Sequence, residues 1–157
     1  MNSENKLSLS ETNILNICTE IEDTVAIMYR FFSKLYADNE TVSSLFFKTS
    51  LEEDEHANQF RLASRLYGAG MKSVKTNIQQ VETLLIKIKA LYESVQVSSP
   101  TMKAALELSL QIENKLAEYH MNSIVVFEDQ NLSSLFTSMR KNDDAHVLML
   151  QQALKSL

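Results

Sequence analysis

Helix-breaking residues are almost missing from this chain. Among 157 residues there are two glycines, Gly68 and Gly70, and one proline, Pro100. Sandwiches and barrels need many turns, and turns draw on these two residue types. Long helices with few connections need hardly any. The 45% apolar content is that of a folded chain, and 157 residues suffice for one domain with a substantial core. The chain therefore reads as a single all-α domain over residues 1–157.

Apolar periodicity divides that domain into four long helices and a shorter one. The first spans about Ser10 to Tyr36, with Ser10 as its N-cap. It sets Leu15, Cys18, Glu22, Val25, Tyr29, Phe32 and Tyr36 on one face. Asp38-Asn39 turns the chain. The second helix runs from about Glu40 to Tyr67, with Phe46, Thr49, Glu53, His56, Phe60 and Ala63 on one face, and Gly68 ends it. The shorter helix, Ile78 to Val95, is amphipathic through Val81, Leu85, Ile88 and Tyr92. It is read as packing, with a homodimer interface as the alternative. Ser99 and Pro100 cap and open a helix that runs to about Phe127. Asp129 to Asn131 forms a turn, and the last helix reaches Leu157. Tight connections make the first two helices antiparallel neighbours, and likewise the last two. Two hairpins joined by one long crossover that holds its own helix describe a ferritin-like antiparallel four-helix bundle.

Charge and cysteine content narrow the function classes. A formal charge of −5 argues against nucleic acid as a partner, because phosphate contacts need clustered Lys and Arg. No apolar run is long enough to span a bilayer, so no membrane role is expected. "MNSENKLSLS" lacks the basic start and apolar stretch of a secretory signal, which makes the cytoplasm the default expectation. The single cysteine, Cys18, excludes an internal disulfide and Cys-based zinc or iron–sulfur sites, and reads as a small buried hydrophobe.

One phrase occurs twice. "SSLFFKTSLEEDEH" runs from Ser43 to His56, and "SSLFTSMRKNDDAH" from Ser133 to His146. Each has an acid three residues before its histidine, Glu53 and Asp143. Residues three apart share a helix face and reach the same point. With 20 acids in the chain, chance alone puts one three residues before a given histidine about 13% of the time. Two of the three histidines show the pattern inside a repeated segment, which weighs against chance. The repeat also selects the register: Glu53 aligns with Asp143, and Glu52 with Asn142.

The other two long helices each offer one acid on an apolar stripe. Glu22 is flanked by Cys18, Val25 and Tyr29; Glu113 is flanked by Leu106, Leu110 and Leu116. Glu22 lies 16 residues before Asp38, while Glu53 and His56 lie 15 and 18 after it. Glu113 lies 16 before Asp129, while Asp143 and His146 lie 14 and 17 after it. At a rise of ~1.5 Å per residue, all six side chains stand within about one helical turn of one level. Carboxylates are costly to bury without a partner. A pair of metal ions would neutralise four carboxylates and use two imidazoles, and each hairpin would then supply half of the site.

Glu22, then Glu53-x-x-His56, then Glu113, then Asp143-x-x-His146 resembles the ligand order of the ferritin-like di-iron carboxylate proteins. Within that group the chain is most similar to the rubrerythrins, including Tyr29 two turns after the first Glu. The likeness covers roughly Leu9 to Tyr67 and Pro100 to Leu157. It implies two iron ions, with manganese or another divalent metal as alternatives, bridged by Glu53 and Glu113. Glu22 and Asp143 would be terminal carboxylates, and His56 and His146 would serve one ion each. It further implies an oxidoreductase acting on hydrogen peroxide or dioxygen, in oxidative stress or iron handling, fed by an external electron donor. Tyr29 and His120 would stand behind the ligands. The sequence departs from the rubrerythrin pattern in four places, one being a crossover helix longer than in compact members. Asp143 is one methylene shorter than the usual Glu, which would leave an open position on the His146 side. Leu116 stands where a further carboxylate is usual, and no Cys-rich rubredoxin-like segment is present. A metal-binding or iron-storage protein without turnover, and a metal-free structural bundle, are the alternatives.

Overall fold

The structure, a computed structural model, describes residues 9–65, 71–74, 77–121, 125–127 and 130–157. Five helices account for most of them: α1 (Leu9–Leu35), α2 (Glu40–Arg65), α3 (Ile78–Val97), α4 (Met102–Met121) and α5 (Gln130–Lys155). Two short strands, β1 (Met71–Val74) and β2 (Val125–Phe127), pair antiparallel. Among the described residues no helix is long and apolar enough to cross a membrane.

α1 and α2 form a tight hairpin. Asn39 caps α2 through a bond from the Val42 N–H to its Oδ1 (3.1 Å). Ser33 meets Ser43 across the hairpin, Arg30 meets Asp54 at 2.6 Å, and Asp23 meets Arg61. These pairs recede from the turn in step, as antiparallel helices require. The last two pairs are more than a third exposed and contribute little stability. The apolar stripes contribute far more. Every residue placed on the inner face of α1 is buried, as are all six placed on the inner face of α2. Tyr29, Phe32, Phe46 and Phe60 are among the largest fully buried side chains. Phe32 and Phe46 lie 5.2 Å apart between ring centroids, and Tyr29 and Phe46 5.6 Å. Each such burial stabilises the fold by ~1.5–3 kcal/mol.

α3 packs on α1, burying Val81, Leu84, Ile88 and Val95. Tyr92 lies edge-on to Phe31, and Lys89 pairs with Glu20. The segment after α3 returns to the foot of the hairpin, where the Tyr36 hydroxyl donates to the Pro100 carbonyl at 2.6 Å. α4 packs against α5, and α5 against α2.

Four boundaries differ from the sequence reading, the first being that α5 already includes Gln130 and Asn131, which the sequence reading placed in the turn. α1 already includes Ser10, so Ser10 is not its cap. α4 is capped by Thr101 rather than Ser99, since Thr101 Oγ1 accepts the Ala104 N–H at 3.1 Å. Pro100 sits just outside that helix, with its carbonyl committed to Tyr36. α4 stops at Met121 instead of continuing to Phe127; the β-branched Val125-Val126 segment pairs with β1, in a register that slips between Met71 and Ser73. The glycine break at Gly68 lies outside the described residues. Thr101→Ala is expected to cost about 1 kcal/mol. A lower urea midpoint at unchanged slope would register it, while Ser99→Ala should leave the stability within about 0.5 kcal/mol.

Candidate metal centre

α1 brings Glu22, α2 brings Glu53 and His56, α4 brings Glu113, and α5 brings Asp143 and His146. All six converge, and none is more than 1% exposed. The helical period accounts for this. Each polar group sits on the same stripe as the apolar residues one turn away, so burying the stripe buries the group. Val25 and Cys18 flank Glu22, and Leu116 flanks Glu113; all are in the core.

The six groups fall into two overlapping clusters. Glu53, Glu113, Asp143 and His146 each offer a donor atom within 4.8 Å of the others, and so do Glu22, Glu53 and His56. Glu53 is the shared member. Its Oε1 lies 3.2 Å from His146 Nδ1, and its Oε2 lies 3.5 Å from His56 Nδ1. Both oxygens are closed off from solvent, with the two imidazole nitrogens beside them at these distances. A buried carboxylate in this condition is expensive unless a cation compensates it. One oxygen aimed at each cluster is the arrangement of a carboxylate that bridges two ions. His56 and His146 face each other, with centroids 6.2 Å apart and planes 30° from parallel. His56 Nδ1 also lies 3.8 Å from Glu22 Oε2 and 3.8 Å from Asp143 Oδ1. Compared with known families, curated proteins and solved structures, the chain gives no match. The chemistry of the site is therefore carried by these side chains alone.

Glu113 does not mirror Glu53. Its Oε1 accepts the Tyr29 hydroxyl at 2.7 Å, and its Oε2 lies 3.3 Å from His146 Nδ1. Glu113 belongs to one of the two donor clusters, whereas Glu53 belongs to both. Asp143 is fully buried within the four-donor cluster, and the Glu22, Glu53 and His56 cluster has three donors. Tyr29 stands behind a candidate ligand, and that ligand is Glu113, a partner the sequence did not specify. His120 lies in α4, and its side chain is outside the described part of the structure.

Glu52 was passed over in the sequence because the repeat aligns it with Asn142. In the structure its Oε2 meets His146 Nε2. The only signal available for it was its place beside Glu53; the contact itself depends on how α5 lies against α2.

Charge in the cluster is strongly coupled. Burial, followed by the Glu22 charge, raises Glu53 above the usual carboxylate range. Burial, and then the neighbouring Glu53 charge, pushes Glu113 up to about 7, against the pull of His146 and Tyr29. Burial works against charge on both imidazoles, but the carboxylates outweigh it. Glu22 and Glu53 hold His56 up to about 11, and Glu113 and Glu53 hold His146 up to about 11. Burial, then Glu113, raises Tyr29 well above its ordinary value, so it remains a hydrogen-bond donor.

Two consequences follow for the metal-free protein. Each histidine contributes stability that is present below its unfolded value of 6.5 and lost as pH rises toward about 11. Glu113 contributes in the same direction between 4.5 and about 7. Metal-free protein should therefore lose stability as pH rises across this range. Ligation requires the imidazole protons, and any proton held by Glu113 or Glu53, to leave, so metal uptake near pH 7 should release at least two protons per chain and strengthen with pH. Calorimetric titration in buffers of different ionisation enthalpy measures this directly. A binding heat independent of buffer would show that the histidines are not ligands.

Proposed function

We propose that this chain is a two-metal oxidoreductase of the ferritin-like, rubrerythrin-like kind, with iron as its metal and hydrogen peroxide or dioxygen as its substrate. The observation that carries the reading is the buried set of four carboxylates and two imidazoles, with Glu53 turned one oxygen toward each half. Oxygen-rich donor sets with imidazole suit iron or manganese better than tetrahedral zinc. The pairing of α1 with α2 and of α4 with α5 supports two hairpins, and α3 along α1 supports a crossover between them.

Glu22, Glu53 and His56 would hold one ion, and Glu53, Glu113, Asp143 and His146 the other. A pair of ferrous ions supplies, when bound, the two electrons that reduce a peroxide O–O bond to two waters with two protons. The chain's own part is to hold that pair and control its surroundings. Tyr29 fixes the orientation of Glu113 by hydrogen bonding. The apolar turns around Glu22 and Glu113 exclude bulk water and sharpen electrostatic interactions. The half with three protein donors leaves more room for a small ligand, which supports the His56 side as the side substrate would approach. Reducing equivalents would come from an external donor, and the work would be cytoplasmic.

Protein loaded anaerobically with two ferrous ions and mixed with peroxide should oxidise both, in a ratio of one peroxide per two ions. Iron that binds the cluster but reacts no faster than in buffer would select a second reading, a metal-holding or storage protein without turnover. The complete enclosure of all six side chains favours that second reading over a metal-free bundle.

A further inference from the structure

We propose that Glu52 is the positioning residue of the metal centre. It accepts the Nε2–H of His146 and thereby keeps the Nδ1 lone pair aimed at the point shared with Glu53 and Glu113. This inference rests on the metal reading above.

The geometry is particular to Glu52. His146 is wholly buried, and its two ring nitrogens have separate surroundings. Nδ1 lies 3.2 Å from Glu53 Oε1 and 3.3 Å from Glu113 Oε2, inside the donor cluster. Nε2 is bonded to Glu52 Oε2. Glu52 belongs to neither donor cluster. Consecutive helical residues point about 100° apart. α2 can therefore send Glu53 into the site and Glu52 toward the far edge of a ring carried by α5. A neutral imidazole carries one N–H, and the partner of that N–H decides which nitrogen is left to ligate. A carboxylate on the remote nitrogen also makes the ligating one more basic.

Glu52 is also the member of this group that reaches outward. Its side chain is 27% exposed, against 0% for His146. The equivalent position in the repeated phrase is Asn142, which carries no charge. The repeat therefore supplies this carboxylate once, although the two ligand phrases are alike. The ion held with His146 should accordingly be the tighter of the two.

The test uses the full chain loaded with zinc, a diamagnetic probe that permits NMR of the histidine rings. The wild type should show a slowly exchanging His146 Nε2–H, assigned by its loss in His146→Gln. E52Q keeps an acceptor oxygen, so it should retain that proton and most of the affinity. E52L should lose the proton and weaken one zinc ion by about 10–100-fold, leaving the other within a few-fold. E52A takes its place if E52L does not fold. Retention of both the ring proton and both affinities in E52L or E52A would overturn the proposal. So would equal weakening of both ions together with a lowered melting temperature that E52Q fails to rescue, since that pattern belongs to a residue that only supports the fold. A wild type that takes up no zinc at the cluster would instead remove the metal reading, and the role of Glu52 with it.

Discussion

Replacing Glu53 with alanine is expected to strip the protein of most of its metal. Glu53 is the one residue common to both clusters, with an oxygen 3.2 Å from His146 Nδ1 and another 3.5 Å from His56 Nδ1. Its removal takes a donor and a negative charge from both ions at once. Content should fall from about two ions per chain to well under one, since loss of even a supporting partner typically costs 10–100-fold in affinity. Glu22→Ala should be milder, because Glu22 belongs to a single cluster and the four-donor half survives. The metal-free Glu53→Ala variant should also be less stable than the metal-free parent, because Glu53 is a charge partner of both buried imidazoles, His56 and His146. Elemental analysis of the folded variants reads out both metal contents. Full metal retention in Glu53→Ala would place the binding site elsewhere.

Metal should also govern thermal stability. An ion that binds only the folded state, at about 1,000 times its dissociation constant, adds ~4.1 kcal/mol. Two such ions add ~8 kcal/mol, and a domain of this size gains ~2–4 °C per kcal/mol. The melting temperature should therefore rise by roughly 15–30 °C on loading and fall back with chelator. The effect should widen as pH rises, because the metal-free state loses stability as His56 and His146 lose the protons that their carboxylate neighbours hold up to about 11. In Glu53→Ala most of the shift should vanish. Equal melting temperatures with and without metal, at every pH, would mean that the cluster folds without an ion and gains nothing from one.

Much of this was legible in the sequence because it is local and periodic. The stripe Leu15, Cys18, Glu22, Val25, Tyr29, Phe32 and Tyr36 repeats at helical spacing, and a stripe that continuous must face a core. Glu53 and His56 could be located because three-residue spacing fixes their common face, and counting from the turns set their height. What was missed depends on contacts between distant segments. The β1–β2 ribbon consists of strands of four and three residues that have no reason to be extended except each other. Ser99-Pro100 and Thr101 are all adequate helix starts locally; the bond from Tyr36, 64 residues away, accompanies the later start. The hold of Tyr29 on Glu113 spans 84 residues, and that of Glu52 on His146 spans 94. No periodicity reports such pairs.

The most direct test is anomalous diffraction from crystals of natively purified protein, collected at the iron, manganese and zinc edges. The metal-centre assignment predicts two peaks per chain. One should contact Glu22, Glu53 and His56; the other should contact Glu53, Glu113, Asp143 and His146, with Glu53 touching both. A cluster without anomalous density in crystals soaked with ferrous, manganous or zinc ion, or ions bound only at other residues, would contradict it.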